Sequence, residues 1–328
     1  MLSSLDEALD NVVATLRDGG VVGMPTETVY GLAADARNAD AVARVFALKG
    51  RPSTNPLIVH VASVEVAERY VVVDERARRL FAAFSPGPLT IVLPRRQDAH
   101  RLPSVGVCGL VTAGLDTVGI RIPNHPVALE LLRAFDGPIA APSANVSNHV
   151  SPTTAQHVRD EFGDAVPVLD GGACAVGVES TVLSLVGERP RLLRPGAVTQ
   201  GQIEAVIGPV ERFVGHVSPT VAAASPGQHQ KHYAPRSPAF RFSRGDPMPS
   251  VAGRTVAIVL DRLPSEWRRE SFADVRALGD PASAARTLYA TLRDVDASSP
   301  DAIFVELPPD APEWSAVRDR IVRATRAM

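Results

Sequence analysis

The chain has 328 residues, 45% of them hydrophobic, and a formal net charge of −2. That length suits two domains with ordinary cores. The near-neutral charge excludes a global basic field, so any nucleic-acid surface has to be local. Two cysteines, Cys108 and Cys174, lie far apart, make no CxxC or metal spacing, and indicate a reduced, cytoplasmic protein. The opening MLSSLDEALDNVV has acids and no basic n-region, so no signal peptide is expected, and no apolar run approaches a membrane span.

Leu5, Leu9, Val12, Val13 and Leu16 predict an amphipathic helix stopped at Gly19-Gly20. A short strand, Val21 to Met24, then runs into Pro25, Thr26, Glu27, Thr28 and Tyr30-Gly31. Ala41, Val45 and Leu48 stand at helix spacing, and Lys49-Gly50-Arg51 is a helix stop. Pro52-Ser53-Thr54-Asn55-Pro56 leads to a strand, Leu57 to Val61, that contains His60. Two polar loops at strand or helix ends thus carry two cations, an amide and several hydroxyls, the usual setting for a site. Taken singly, each of these residues also fits an ordinary turn or a helix C-terminus.

Further on, Ser63 to Tyr70 and Asp74 to Phe84 read as helices, Thr90 to Leu93 as a strand, and Arg101 to Leu115 as loop with short strands. Val118 to Ile122 reads as a strand, Pro126 to Phe135 as a helix with proline in its first turn, and Pro138 to Ala141 as a short buried strand. A helix is expected from near Ser151-Pro152. Strands follow at Val166 to Leu169, Ser180 to Val186 and Arg191 to Leu193, then a helix at Thr199 to Ile207. Gly208 to Pro238 is proline-rich and aperiodic, which marks a linker. Thr255 to Leu260 (strand), Pro281 to Val295 (helix), Ala302 to Val305 (strand) and Trp314 to Ala327 (helix) make a small unit with Rossmann-like alternation but no GxGxxG. The fold class expected is α/β, with a first domain at 1–208, a linker at 209–238 and a second domain at 239–328.

PTETVYGL followed by KGRPSTNPLIVH resembles the signature of the YrdC/Sua5 family of threonylcarbamoyl-AMP synthases. SPGPLTIVLP, TAGLDTVGIRIPNHP, PIAAPSANVSNHVSPT, DGGACAVGVESTVL and LLRPG follow in family order, and SPGQHQKHYAP resembles the linker signature of the two-domain Sua5 form. The match covers roughly residues 5 to 236. It implies a YrdC-like twisted mixed sheet with flanking helices, plus a small Rossmann-like C-terminal domain. It further implies that L-threonine, bicarbonate or CO2, and ATP give threonylcarbamoyl-AMP and pyrophosphate. This is the first step of N6-threonylcarbamoyladenosine formation at position 37 of tRNAs that read codons starting with A. Two other readings are a non-catalytic RNA-binding module, with Arg51, Arg95, Arg96, Arg101 and Arg121 on a concave face, and a carbamoyl-transfer relative with another substrate.

No Walker pattern GxxxxGK[ST] occurs, so the phosphates have to be held by side chains and exposed amides. The resemblance assigns Arg51, Asn55, Thr117, Ser143, Ser151, Arg194 and Tyr233 to ATP, and Thr28, His60, Arg121, Ala141 and Ser180 to L-threonine. Lys49 and Arg51 would act on the transferred charge, an arginine fork matching phosphate oxygens in pairs. On spacing alone, Arg121 fits a strand end or a solvent face, and His60 fits a packed histidine. Mg2+ is expected on the ATP phosphates, because no carboxylate cluster looks like a metal cage. Tyr233, with His232, is expected to cover the nucleotide as a lid. The resemblance also implies hand-over of product to the tRNA threonylcarbamoyl transferase machinery and contact with double-stranded RNA or tRNA.

Overall fold

Side-chain alternation along a few short strands sorts the first domain into a core face and a site face. The computed structural model describes residues 2–96, 106–213, 233–249 and 253–328. Nine strands form one mixed sheet: β1 (Val22–Met24), β2 (Gly31–Asp35), β3 (Ile58–His60), β4 (Leu89–Pro94), β5 (Thr117–Arg121), β6 (Ile139–Ala140), β7 (Thr181–Ser184), β8 (Arg191–Arg194) and β9 (Glu211–Arg212). Their order is β1-β2-β6-β3-β5-β4-β7-β8-β9, and β3 lies parallel to β5 with His60 in register with Arg121. Leu57, Val59 and Val61 enter the main core together with Val118, Ile120, Ile122, Leu89, Ile91 and Leu93. With a period of two, Ile58, His60, Thr90, Val92 and Arg121 are left on the opposite face.

The helices of this domain are α1 (Leu2–Arg17), α2 (Ala39–Lys49), α3 (Val64–Ala67), α4 (Glu75–Phe84), α5 (Pro126–Phe135), α6 (Ala155–Phe162) and α7 (Gln200–Ile207). Asn38 caps α2 by accepting from Asp40 and Ala41, and Gly50 ends it at φ 57. That left-handed turn suits glycine and swings Arg51 back from the helix axis. Five expectations need correction. Glu211–Arg212, read as part of the linker, pairs as β9 with β8 and so extends the first domain. Strand β2 follows Tyr30 directly, where only a loop was read. The segment Val166 to Leu169 makes a single bridge, Val168 to Gly23, because Pro167 has no N–H to continue the pairing. The helix at Ser63 to Tyr70 shortens to the four residues of α3. The helix placed near Ser151-Pro152 begins at Ala155, after the N-cap Thr154, which leaves Ser151 free for other contacts.

The second sheet is wholly parallel, in the order β12-β11-β13-β10-β14, with β10 (Ala239–Phe242), β11 (Thr255–Val259), β12 (Asp274–Ala277), β13 (Ala302–Glu306) and β14 (Arg326–Ala327). Strands β10 and β12 were not anticipated. The predicted helix Trp314 to Ala327 is α9 (Ser315–Ala324), whose last residues turn away to pair with β10. Helices α8 (Pro281–Ala297) and α9 bury Leu288, Tyr289, Leu292, Val317 and Ile321 in a cluster that also takes in Val29, Val150 and Val178 of the first domain. Gly177 holds φ +80, and a Cβ there would strike the backbone of α8 at Ala285 and Arg286. The two domains therefore share one apolar seam. Among the described residues no helix is long and apolar enough to cross a membrane.

Candidate active site

On the site face, Thr28, Arg51, Ile58, His60, Arg121, Ala141, Ser143, Ser180, Arg194 and Tyr233 line one cavity, joined by Thr26 and Glu179. Its volume is about 50 Å³, far below the roughly 300–1,000 Å³ of a cavity that encloses a drug-sized ligand. Arg51 is buried and donates Nε to Asn55 O at 3.0 Å and Nη2 to Pro56 O at 2.8 Å. Burial pushes its pKa down to about 9, with Arg194 adding repulsion. Arg194, also buried and lowered by burial, donates Nε to Ser180 O at 3.1 Å and Nη2 to Ser180 Oγ at 3.2 Å. Ser180 Oγ in turn lies 2.8 Å from Thr90 Oγ1. Among the described residues neither guanidinium forms a salt bridge to a carboxylate, which suits both to a buried anion.

A second charge centre lies beside β3 and β5. Arg121 Nη2 stands 2.7 Å from Glu27 Oε2, and both residues are buried. The approach is not aligned as a hydrogen bond, and neither Glu27 oxygen has a hydrogen-bond partner among the described residues. Arg121 Nε reaches Gly87 O at 3.3 Å. Burial, followed by the Arg121 charge, drives the His60 pKa down to about 3, so its ring is neutral at physiological pH. Its Nδ1 has no hydrogen-bond partner among the described residues. Thr26 Oγ1 lies 2.9 Å from Thr28 Oγ1 and 2.6 Å from Val29 O, which fixes the loop in front of the pair. Arg121 is neither at a solvent face nor exposed. Its neighbours Val118, Ile120 and Ile122 take the core face, and Arg121 lies on the opposite face, in the cavity lining.

Glu179 is the hub between the domains. Its Oε1 accepts from Ser151 Oγ at 2.6 Å, and its Oε2 accepts from Tyr289 OH and Arg320 Nε, each at 2.8 Å. Burial raises its pKa, but Arg320, Arg194 and the hydrogen bonds outweigh burial and hold it at about 2. Tyr233, at φ 64, is fully buried. Arg320 lies over its ring at 5.3 Å and the Tyr289 ring sits 5.6 Å away.

Residues 14–196 match the family model Sua5_yciO_yrdC, described as "telomere recombination", and residues 198–325 match the model described as "threonylcarbamoyl-AMP synthase, C-terminal domain". The chain belongs to the Sua5 family. A Bacillus subtilis relative named threonylcarbamoyl-AMP synthase is 40% identical over 98% of this chain and 94% of its own length. A Pyrococcus abyssi relative of the same name is 38% identical over 94% of this chain and 92% of its own. The crystal structure of P. abyssi Sua5 complexed with L-threonine superposes with a TM-score of 0.84 at 35% identity, covering 97% of this chain and 95% of that one.

Within this Sua5-family site, four of the residues assigned from sequence lie outside the cavity lining. Lys49 is buried beneath it. Its Nζ donates to Ser143 O at 2.5 Å and Asn145 O at 2.6 Å, and burial, then Arg51, lowers its pKa well below the usual lysine range. Asn55 is buried beside Arg51, and its Oδ1 has no hydrogen-bond partner among the described residues. Ser151 is buried on Glu179. Thr117 lines a small adjoining void with Ile58 and Thr90. Of the five arginines considered for a concave RNA face, Arg51 and Arg121 are buried. Arg95 and Arg96 line a separate shallow cleft with Glu68 and Arg78. Arg101, His232 and the SPGQHQK part of the linker signature lie outside the described residues. Sequence reasoning gave no role to Glu27, Glu179, Tyr289 or Arg320. The first two sit inside the quoted motifs PTETVYGL and GVESTVL, so a signal was available. The last two lie in helix periodicity that reads only as core.

Proposed function

We propose that this chain makes threonylcarbamoyl-AMP. The amine of L-threonine adds to bicarbonate or CO2, with loss of water or of a proton respectively, to give an N-carboxylate. That carboxylate oxygen attacks the α-phosphorus of ATP, and pyrophosphate leaves. The observation that carries this reading is the presence of two differently equipped cation centres in one cavity. Arg51 and Arg194 offer guanidinium groups without carboxylate partners among the described residues, which suits phosphates. Arg121, beside Glu27 and a neutral His60, offers a fork for the threonine carboxylate and a nearby carboxylate for its ammonium. The P. abyssi structure with L-threonine and the names of the relatives support the same assignment.

In this reading the chain works by positioning and neutralising charge rather than by acid–base chemistry. Arg51, Arg194 and Ser143 face the nucleotide, while Asn55 and Ser151 are buried behind them and Thr117 lines the adjoining void. Thr28, His60, Arg121, Ala141 and Ser180 face threonine. Lys49 acts from below by holding the Ser143 and Asn145 carbonyls, so it orients the loop that carries Ser143. Tyr233 closes the mouth and keeps water from the labile product. The small volume of the cavity means that ATP enters with Tyr233 displaced. Mg2+ carried on the ATP phosphates would supply neutralisation of their charge. Among the described residues no group of three His, Cys, Asp or Glu is placed to hold a metal, and Glu179 already spends both oxygens on protein donors. A reducing, cytoplasmic setting accords with two free thiols, one of them buried. Product would pass to a tRNA-modifying transferase. Mass spectrometry of a reaction containing labelled bicarbonate tests the proposal directly. The expected adenylate carries the label on its carbamoyl carbon, and an unlabelled threonyl-AMP would refute it.

A further inference from the structure

The largest of the described cavities lies outside this site. It is a cleft of about 870 Å³ in the second domain, bounded by residues 234–239, by α9 and by β14, with Arg212 of the first domain at its rim. Six arginines border it, Arg212, Arg236, Arg241, Arg318, Arg323 and Arg326, against two aspartates, Asp310 and Asp319. Asp319 is already committed. It accepts from Arg320 Nη1 at 2.8 Å and from Arg323 Nε at 3.0 Å. Asp310 is 86% exposed and stands 4.0 Å from Arg318 Nε. Arg241 gives one donor to Thr325 O at 2.8 Å, and Arg318 gives one to Pro308 O. Each guanidinium has five donors, so most of theirs are still available. Arg212, Arg236 and Arg326 are exposed and form no ion pair among the described residues.

We propose that this cleft binds a ligand with two or more phosphate groups in sequence, either a free oligophosphate or a stretch of phosphodiester backbone. Arginine forks match phosphate oxygens in pairs, and guanidinium is the cation that such recognition favours over ammonium. A single phosphate could not engage forks spread around a cleft of this size. In a chain whose net charge is −2, this density of like charge is locally repulsive, and a polyanion would relieve it. The cleft is also tied to the first site through Asp319, whose carboxylate holds Arg323 in the cleft and Arg320 against Glu179.

The test uses the full chain with a non-hydrolysable ATP analogue and Mg2+ in excess, so that the first site is occupied throughout. Tripolyphosphate and a short single-stranded oligoribonucleotide are titrated separately, at about 50 mM and about 200 mM salt. The parent protein should bind at least one probe, more weakly at the higher salt. The exposed-surface variant R236E/R326E should lose at least about tenfold in affinity, the effect of one charge-assisted contact. R236Q/R326Q should fall between the two, and it keeps the test open if the charge reversal disturbs folding. Binding of tripolyphosphate identifies the free oligophosphate as the source. Binding of the oligonucleotide alone identifies the strand. If neither probe binds at low salt, or if both variants bind as the parent does, the proposal is wrong.

Discussion

Arg320, on the last helix of the second domain, places its Nε 2.8 Å from Oε2 of Glu179 in the first, with neither side chain open to solvent. The same guanidinium reaches Pro195 O at 3.0 Å, next to Arg194. One residue of the second domain therefore ties down the segment that carries Ser180 and Arg194 and, through Glu179, Ser151. The second domain forms part of the wall behind the proposed nucleotide site.

Removing Arg320 should be costly. Arg320→Ala leaves Glu179 buried without its ion partner, a loss on the order of 3–5 kcal/mol. The urea midpoint should fall accordingly, and KM for ATP should rise more than KM for threonine. Arg320→Lys keeps the charge but lacks the fork needed to hold Glu179 and Pro195 together, so it should recover only part of both. Equal effects on the two KM values would argue against a role on the nucleotide side.

His60 predicts an acid limit. Its folded pKa, about 3, lies below the ordinary 6.5. Between those values the unfolded chain binds the proton that the folded chain refuses. The neutral ring therefore contributes stability that is complete above about pH 6.5 and is lost as pH falls towards 3. Unfolding followed from pH 7 to pH 4 should show this slope, and His60→Asn should flatten it. A slope unchanged in the variant would show that other groups set the limit.

Tyr233 separates ring from hydroxyl. Tyr233→Ala removes the aromatic body lying between Arg320 and Tyr289 and should open the cavity. We expect more ATP consumed per adenylate recovered, as water reaches the product. Tyr233→Phe keeps the ring and should stay close to the parent. If the Ala variant matches the parent in both turnover and yield, Tyr233 is no lid.

Arg121 and Glu27 should behave as a coupled pair. Arg121→Ala removes the proposed partner of the threonine carboxylate, worth about 1.5–3 kcal/mol or roughly ten- to hundred-fold in affinity, and strands Glu27. Glu27→Gln relieves that stranded charge, so the double variant should be more stable than Arg121→Ala alone. Threonine binding and urea unfolding of the four proteins close the cycle. Additive stabilities would mean that the 2.7 Å approach carries no energy.

Much of this was legible before any coordinates. The apolar runs Leu57–Val61 and Val118–Ile122 already marked two strands, interrupted by His60 and Arg121. They could not say that the face carrying Arg121 is covered by another layer, so Arg121 read equally well as solvent-exposed. Gly50 after Lys49 marked the turn that presents Arg51. The lysine itself gave no hint that its ammonium would be spent on the carbonyls of Ser143 and Asn145, 94 and 96 residues away. Strand β2 escaped notice because five mostly small residues carry no β-branched signal. Arg320 and Tyr289 were hidden for another reason. Their partner is Glu179, 141 and 110 residues distant, and no local pattern encodes a contact across a domain seam.

The central claim is that one chain couples threonine and bicarbonate to cleavage of ATP at the α-phosphorus. Pyrophosphate release from ATP and Mg2+ should be measured with threonine and bicarbonate added singly and together. The account predicts release only when both are present, and its near-complete loss in Arg51→Ala. Release that ignores either substrate, or no release in any combination, would contradict it.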